Sequence, residues 1–224
     1  VSGRLARLTA LAGVALLVVA CSSADAPQTT VASSTRPRAD APLTTVPGAP
    51  PVAVVLGDSN TFLATREIEG SLAHVGFTPA VRGISGSGLK DDPTDWLPAA
   101  AVVRDFRPAV VVVALGTNDA VFASDVAAFS SRLDELVAAL GDVPIVWVTH
   151  TEGGGGRDPG DERRVNDVIR AAPARHPHVT VLDLAPALAS RHGLLGADRL
   201  HYSGRGREWF AEQIADAASA RVTR

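Results

Sequence analysis

Cysteine is almost missing from this chain: Cys21 is the only one in 224 residues. An intrachain disulfide is therefore excluded. Six histidines with one cysteine give no metal-ligand spacing, so no metal is expected. Aromatic residues are few, at 4%, and no long apolar insertion interrupts the chain. A strong charge of either sign is absent too. The net charge of −3 leaves no electrostatic footprint for nucleic acid. No apolar run reaches the length of a membrane-spanning helix. No internal repeat is visible. What remains is a globular composition, 46% hydrophobic and 20% charged, long enough for one domain with a substantial core and some extras.

The extras lie at the start. Arg4 and Arg7 precede an apolar run over residues 8–20, the length of a signal h-region. It ends in Val18-Val19-Ala20-Cys21, which looks like a bacterial lipobox, where the cysteine is lipidated and becomes the new N-terminus. Residues 1–21 are expected to be a lipoprotein signal peptide, and the mature protein to be anchored by Cys21 on the extracytoplasmic face of the membrane. Residues 22–50 are rich in Ser, Thr, Ala and Pro. Such a segment cannot bury enough surface to offset its ordering entropy and reads as a disordered tether. The folded domain is expected over 51–224.

Past the tether the pattern alternates. Strands are expected at 52–56, 78–81, 109–115, 144–149 and 179–182. Three are continuous valine-rich runs, as in parallel strands buried on both faces. Between them, Val126, Phe129, Leu133, Leu136, Val137 and Leu140 form one stripe at helical spacing that stops at Gly141. A helix starting after Ser59 would carry Leu63, Ile68, Leu72 and Val75, and a last one near Ser203 would carry Trp209, Phe210, Ile214 and Val222. This order predicts an α/β fold: a three-layer α/β/α sandwich around a flavodoxin-like, five-stranded parallel sheet of order 2-1-3-4-5. In such sheets ligands bind beyond the carboxyl ends of the strands.

Chemistry-bearing residues fall at those ends. Gly57-Asp58-Ser59-Asn60 follows the first strand. Arg82 to Gly88, "RGISGSG", follows the second. Gly116-Thr117-Asn118-Asp119 follows the third, and Asp198-Arg199-Leu200-His201 comes after the fifth. Each alone has an ordinary reading: Ser59 as a helix cap, Asn118 as a turn residue, His201 as a surface histidine. Together they can perform acyl transfer. Ser59 needs a base to become a nucleophile, His201 is of the right type, and Asp198 could fix the imidazole tautomer. Donors for the oxyanion would be the Ser59 N–H, an N–H of the glycine-rich loop, and the Asn118 amide.

The set resembles the SGNH/GDSL hydrolase family. Gly57 to Asn60 match its first block, Gly116 to Asp119 its GxND block, and Asp198 with His201 its DxxH block. Gly86 is the best match for the oxyanion glycine of the second block, with Gly83 and Gly88 as alternatives. Asn60 stands where the family name has leucine, a position expected to lie outside the chemistry. The resemblance implies ester hydrolysis through an acyl-enzyme on a small-molecule or glycan ester, with no cofactor, no metal and no obligate protein partner.

Other readings were open to the same residues. "GISGSGLK" (83–90) nearly spells a P-loop, but Leu89 separates the last glycine from the lysine. Gly153 to Gly156 read as a mobile loop near the site, with Arg157 a possible contact for an anionic substrate. His150 reads as a polar strand end, and His192 lies on the wrong side of Asp198. Asp58 and Asp119 read as loop braces. Two functional rivals stand beside the esterase: an O-acyltransferase of the cell envelope using the same acyl-enzyme, and a non-catalytic glycan- or lipid-binding module. The scarcity of aromatics favours short acyl groups.

Overall fold

The computed structural model describes residues 48–89, 96–122 and 125–222. The expected signal peptide, Cys21 and nearly all of the expected tether lie outside them. Five parallel strands run β1 (Val52–Gly57), β2 (Thr78–Gly83), β3 (Val110–Ala114), β4 (Ile145–Val148) and β5 (Val179–Leu182). Their order is β2-β1-β3-β4-β5, the order expected from the alternation. Thr78 N donates to the Pro51 carbonyl at 2.8 Å, so the ladder between β1 and β2 starts one residue before β1.

The valine runs work as two-faced strands. Val54, Leu56, Val111, Val113, Ile145 and Trp147 face one apolar layer. Ala53, Val55, Val110, Val112, Val146 and Val148 face the other. Because side chains alternate across a strand, continuous apolar runs are what a sheet covered on both sides requires. The first layer is closed by α3 (Trp96–Asp105), α4 (Thr117–Phe122), α5 (Val126–Leu140) and α6 (Pro159–Arg175), the second by α2 (Thr65–His74), α7 (Ala185–Ser190) and α8 (Gly204–Arg221). On α5, Phe129, Leu133, Leu136, Val137 and Leu140 of the stripe are buried and Val126 is half-buried, and the helix ends as expected at Gly141, whose φ of 72° suits glycine. Ser203 caps α8 by accepting from Gly206 N at 3.0 Å.

The helix after Ser59 departs from expectation. It is two helices, α1 (Ser59–Leu63) and α2, with Ala64 between them. The Thr65 hydroxyl donates back to the carbonyls of Thr61 and Phe62, which diverts the chain at the junction. The break turns Leu63 outward, 46% exposed, instead of into the core. Ile68 and Leu72 are buried as expected.

Candidate active site

The turn that carries Ser59 is built by close contact. β1 runs directly into α1, and there is no room for a side chain at Gly57, where a Cβ would lie 2.0 Å from Thr61 Oγ1. At Gly83 on the neighbouring strand a Cβ would strike the Phe62 backbone. Asp58, not Ser59, caps α1: its carboxylate accepts from Asn60 N at 2.9 Å. Ser59 is thus the first helical residue, and helix geometry leaves its N–H without an intrahelical acceptor.

His201 comes from the loop between α7 and α8. Its Nε2 lies 3.0 Å from Ser59 Oγ, and its Nδ1 lies 2.7 Å from Asp198 Oδ2. Asp198 Oδ1 also accepts from the backbone N–H groups of Leu200 and His201, each at 3.0 Å. The bond to His201, then those two N–H donors, hold the Asp198 carboxyl down at about 2. It is ionised at neutral pH, so Nδ1 carries the ring proton and Nε2 accepts from the serine hydroxyl. His192 enters none of these bonds.

The second and third blocks form the other half of the site. Ser87 N donates to Ile84 O at 3.2 Å, closing a turn whose Gly86 has φ +79°. This fits a type II turn, which asks for glycine there. The Asn118 amide donates to Ser87 O at 2.7 Å, and the buried Trp96 indole N–H donates to Ser87 Oγ at 2.8 Å. Asp119 accepts from Leu89 N with both oxygens, at 2.8 and 3.0 Å, and a Cβ at Gly88 would collide with that carboxylate. Ile84 N donates to Gly57 O at 2.9 Å, which joins this turn to the Ser59 turn. Gly83 and Gly88 are therefore glycines of close packing, while Gly86 faces open space.

In this arrangement a serine hydroxyl, an imidazole and a carboxylate form one hydrogen-bonded chain, and the Ile84–Ser87 turn is tied to the same strand end through Gly57 O. The model of the GDSL-like lipase/acylhydrolase family matches residues 55–209. The chain belongs to that family. As a GDSL-type protein it is a serine ester hydrolase. Among solved structures it is similar to a lipase/acylhydrolase from Enterococcus faecalis, at 22% identity and TM-score 0.66 over 77% of this chain and 97% of that one. The C-terminal catalytic domain of peptidoglycan O-acetyltransferase A from Streptococcus pneumoniae matches at 18% identity and TM-score 0.61, over 78% of this chain and 96% of that one. A carbohydrate esterase family 3 protein from Talaromyces cellulolyticus matches at 18% and 0.57, over 76% and 97%. No curated protein sequence matches the chain.

Around this GDSL site the structure adds Glu162 and Asn166, which motif reading passed over, and gives partners to Arg157, His150 and Asn60. Glu162 is fully buried on α6 and accepts from Gly153 N and Gly154 N. Gly155 N donates to Asp198 O at 2.7 Å, and a Cβ at Gly154 would sit 2.3 Å from Arg199 O. The glycine loop is thus pinned between α6 and the loop carrying Asp198, rather than standing free. Arg157 donates to Thr117 O at 2.8 Å and lies 3.6 Å from Glu162, which makes it a strut between the fourth and third strand ends. His150 is buried against Gly116, and Asn166 clasps its backbone at 3.0 and 2.8 Å. Burial pushes the His150 ring down to about 4, so it is neutral at physiological pH, its Nδ1–H donating to Thr151 O. Asn60, expected to lie outside the chemistry, donates to Leu200 O at 3.3 Å and accepts from Tyr202 N at 3.1 Å, on either side of His201.

Asp58 carries a measurable consequence. Burial raises its carboxyl to about 6, against the help of Thr117 and the Asn60 N–H. A carboxyl raised in the folded state favours folding below its ordinary value of 3.8, and that advantage is lost as pH rises through about 6. Asn keeps the cap acceptor and carries no charge. Asp58→Asn should therefore match wild-type stability near pH 4 and exceed it at pH 7 by roughly 2–3 kcal/mol. Denaturant melts at the two pH values check this; equal gains at both would contradict a buried, titrating Asp58.

Proposed function

We propose that this GDSL hydrolase is a lipid-anchored, extracytoplasmic esterase that removes short acyl groups through an acyl-enzyme on Ser59. The observation that carries the reading is the unbroken chain from Asp198 to His201 to Ser59, with bonds of 2.7 and 3.0 Å. Ser59 Oγ attacks the ester carbonyl while its proton passes to His201 Nε2. The same proton goes to the alcohol oxygen as the carbon–oxygen bond breaks. Water then gives a proton to Nε2 as its oxygen attacks the acyl carbon, and Nε2 returns that proton to Ser59 Oγ as the acyl–Oγ bond breaks, releasing the acid and restoring the serine hydroxyl. Asp198 orients the ring and stabilises the imidazolium. The Ser59 N–H, the Gly86 N–H and the Asn118 amide receive the negative charge on the tetrahedral oxygen. Phe62 and Leu63 lie three and four positions after Ser59 on the same helix, and their exposure of 57% and 46% offers apolar surface to an acyl group.

A panel of acetyl, butyryl and longer p-nitrophenyl esters, together with O-acetylated glycans, tests this. Turnover should fall as the acyl chain lengthens. A preference for long chains would overturn the short-acyl reading. Release of free acetate in water favours the hydrolase. Acetyl transfer to added glycan, faster than release, would favour the O-acyltransferase, a reading kept open by the likeness in fold to a peptidoglycan O-acetyltransferase domain. Binding without turnover of any ester would favour a glycan- or lipid-binding module.

The anchor rests on the sequence pattern at Cys21. Cys21→Ala should move the protein from the membrane fraction to the soluble extracytoplasmic fraction, or leave it uncleaved, while activity on soluble esters stays with the 51–224 domain. Unmodified Cys21 within an uncleaved wild-type chain would sink the lipoprotein reading.

A further inference from the structure

We infer that Asn60 is a positioning residue for His201, its one side-chain amide holding both peptide groups that flank the histidine. The inference rests on the catalytic reading of Ser59 and His201 above. Residues 201–203 form a short extended segment with two hydrogen-bonding edges. One edge is paired with residues 194–196: Gly196 N donates to His201 O at 2.7 Å, and Ser203 N to Leu194 O at 2.9 Å. The opposite edge presents Leu200 O and Tyr202 N, and among the described residues no strand pairs with it. Asn60 lies on that edge, donating to Leu200 O at 3.3 Å and accepting from Tyr202 N at 3.1 Å.

The fit is a matter of chemistry. An amide has a donor and an acceptor side by side, the complement of a carbonyl and an N–H presented on one edge of an extended chain. Leucine, the residue of the family name, offers neither. Aspartate would keep the acceptor for Tyr202 N but set a carboxylate against the Leu200 carbonyl. Asn60 is itself fixed, only 8% exposed, with its N–H on the Asp58 carboxylate at 2.9 Å. It also adjoins Ser59. One rigid residue therefore carries the position of the nucleophile turn across to the base, over 142 positions of sequence. Tyr202, held at its N–H, is locked at its ring too, stacked on Phe210 with centroids 4.5 Å apart. The segment is thus fixed on both sides of His201. Releasing the Asn60 edge frees His201 Nε2 to drift from Ser59 Oγ, and small displacements at that distance are costly to rate.

The test compares Asn60→Asp and Asn60→Leu with wild type, and with Ser59→Ala and His201→Ala, on one soluble acetyl ester. Rates of wild type and of the two Asn60 variants are normalised to sites titrated with a phosphonate ester, so unfolded protein does not count; Ser59→Ala and His201→Ala are compared per mole of protein shown folded by circular dichroism. Asn60→Asp is nearly isosteric, which guards against a simple failure to fold. Both Asn60 variants should lose roughly ten- to a hundredfold in kcat with KM within about twofold, and phosphonate labelling should slow in parallel. The downfield proton signal of the His201 Nδ1–H should broaden or shift, which a purely structural role would not produce. Wild-type kcat per titrated site with an unchanged proton signal, even at lower melting temperature, would overturn the inference. If instead Ser59→Ala and His201→Ala stay active, the catalytic reading fails, and the Asn60 inference falls with it.

Discussion

Ser59→Ala should abolish ester turnover, by roughly three or more powers of ten, while the fold survives. Two observations make this prediction sharper than the motif alone. First, Ser59 is not the cap of α1; Asp58 is, through its bond to Asn60 N. The small loss of stability that follows removal of a helix cap is therefore not expected from this change. Second, the Ser59 hydroxyl lies within hydrogen-bonding reach of His201 Nε2, so its deletion removes the reacting oxygen. His201→Ala should lose nearly as much, because a neutral serine hydroxyl without a base is a poor nucleophile. The double variant should be little worse than either single one, since the two groups act as a unit. Asp198→Asn should lose as much or less, depending on how firmly the Leu200 and His201 N–H groups still hold the side chain in place. Steady-state kinetics on a soluble acetyl ester gives the rates, and circular dichroism checks the fold. A phosphonate ester should label Ser59 in wild type and fail to label it when His201 is alanine. Full turnover by folded Ser59→Ala would return the serine to an ordinary first-turn residue.

The sheet and the motif residues are legible in the sequence because their signals are local. Valine runs at β1 and β3 cannot face water on either side, and the α5 stripe repeats at one period over four turns. "GDSN", "GTND" and "DRLH" each place their reacting groups within four consecutive residues. What stayed hidden is set by distant partners. Asn60 looks like a neutral change at a variable position until Leu200 and Tyr202 are brought beside it. Glu162 sits in the charged stretch "PGDERR", where nothing marks one carboxylate as the buried acceptor for Gly153 and Gly154. The break at Ala64 was also hidden. Apolar spacing continues across it, and only the Thr65 hydroxyl, returning to the carbonyls of Thr61 and Phe62, separates α1 from α2. Helix α3 carries apolar residues on nearly every side in "WLPAAAVV", so its period gives no stripe to read.

Asn118→Ala should lower kcat by about a hundredfold with little change in KM, because an oxyanion donor acts on charge that exists only in the transition state. The structure adds a competing explanation that the experiment must separate. The Asn118 amide already donates to Ser87 O at 2.7 Å, so its removal also loosens the turn that carries Gly86. An amide nitrogen has a second N–H, and one side chain can brace the turn and still receive an oxyanion. The two effects part company at Trp96, whose indole N–H holds the same turn through Ser87 Oγ at 2.8 Å without belonging to the oxyanion set. Trp96→Phe should loosen the turn yet leave the Asn118 amide in place. If oxyanion stabilisation dominates, Trp96→Phe loses less than about tenfold in kcat while Asn118→Ala loses about a hundredfold. If bracing dominates, the two losses converge. A transition-state mimic sharpens the comparison. The affinity of a boronic acid, whose tetrahedral adduct on Ser59 presents an oxygen to the same donors, should fall in step with kcat for Asn118→Ala and far less for Trp96→Phe. Equal losses in both variants, in rate and in boronate affinity, would remove Asn118 from the oxyanion hole and leave it a strut of the second block.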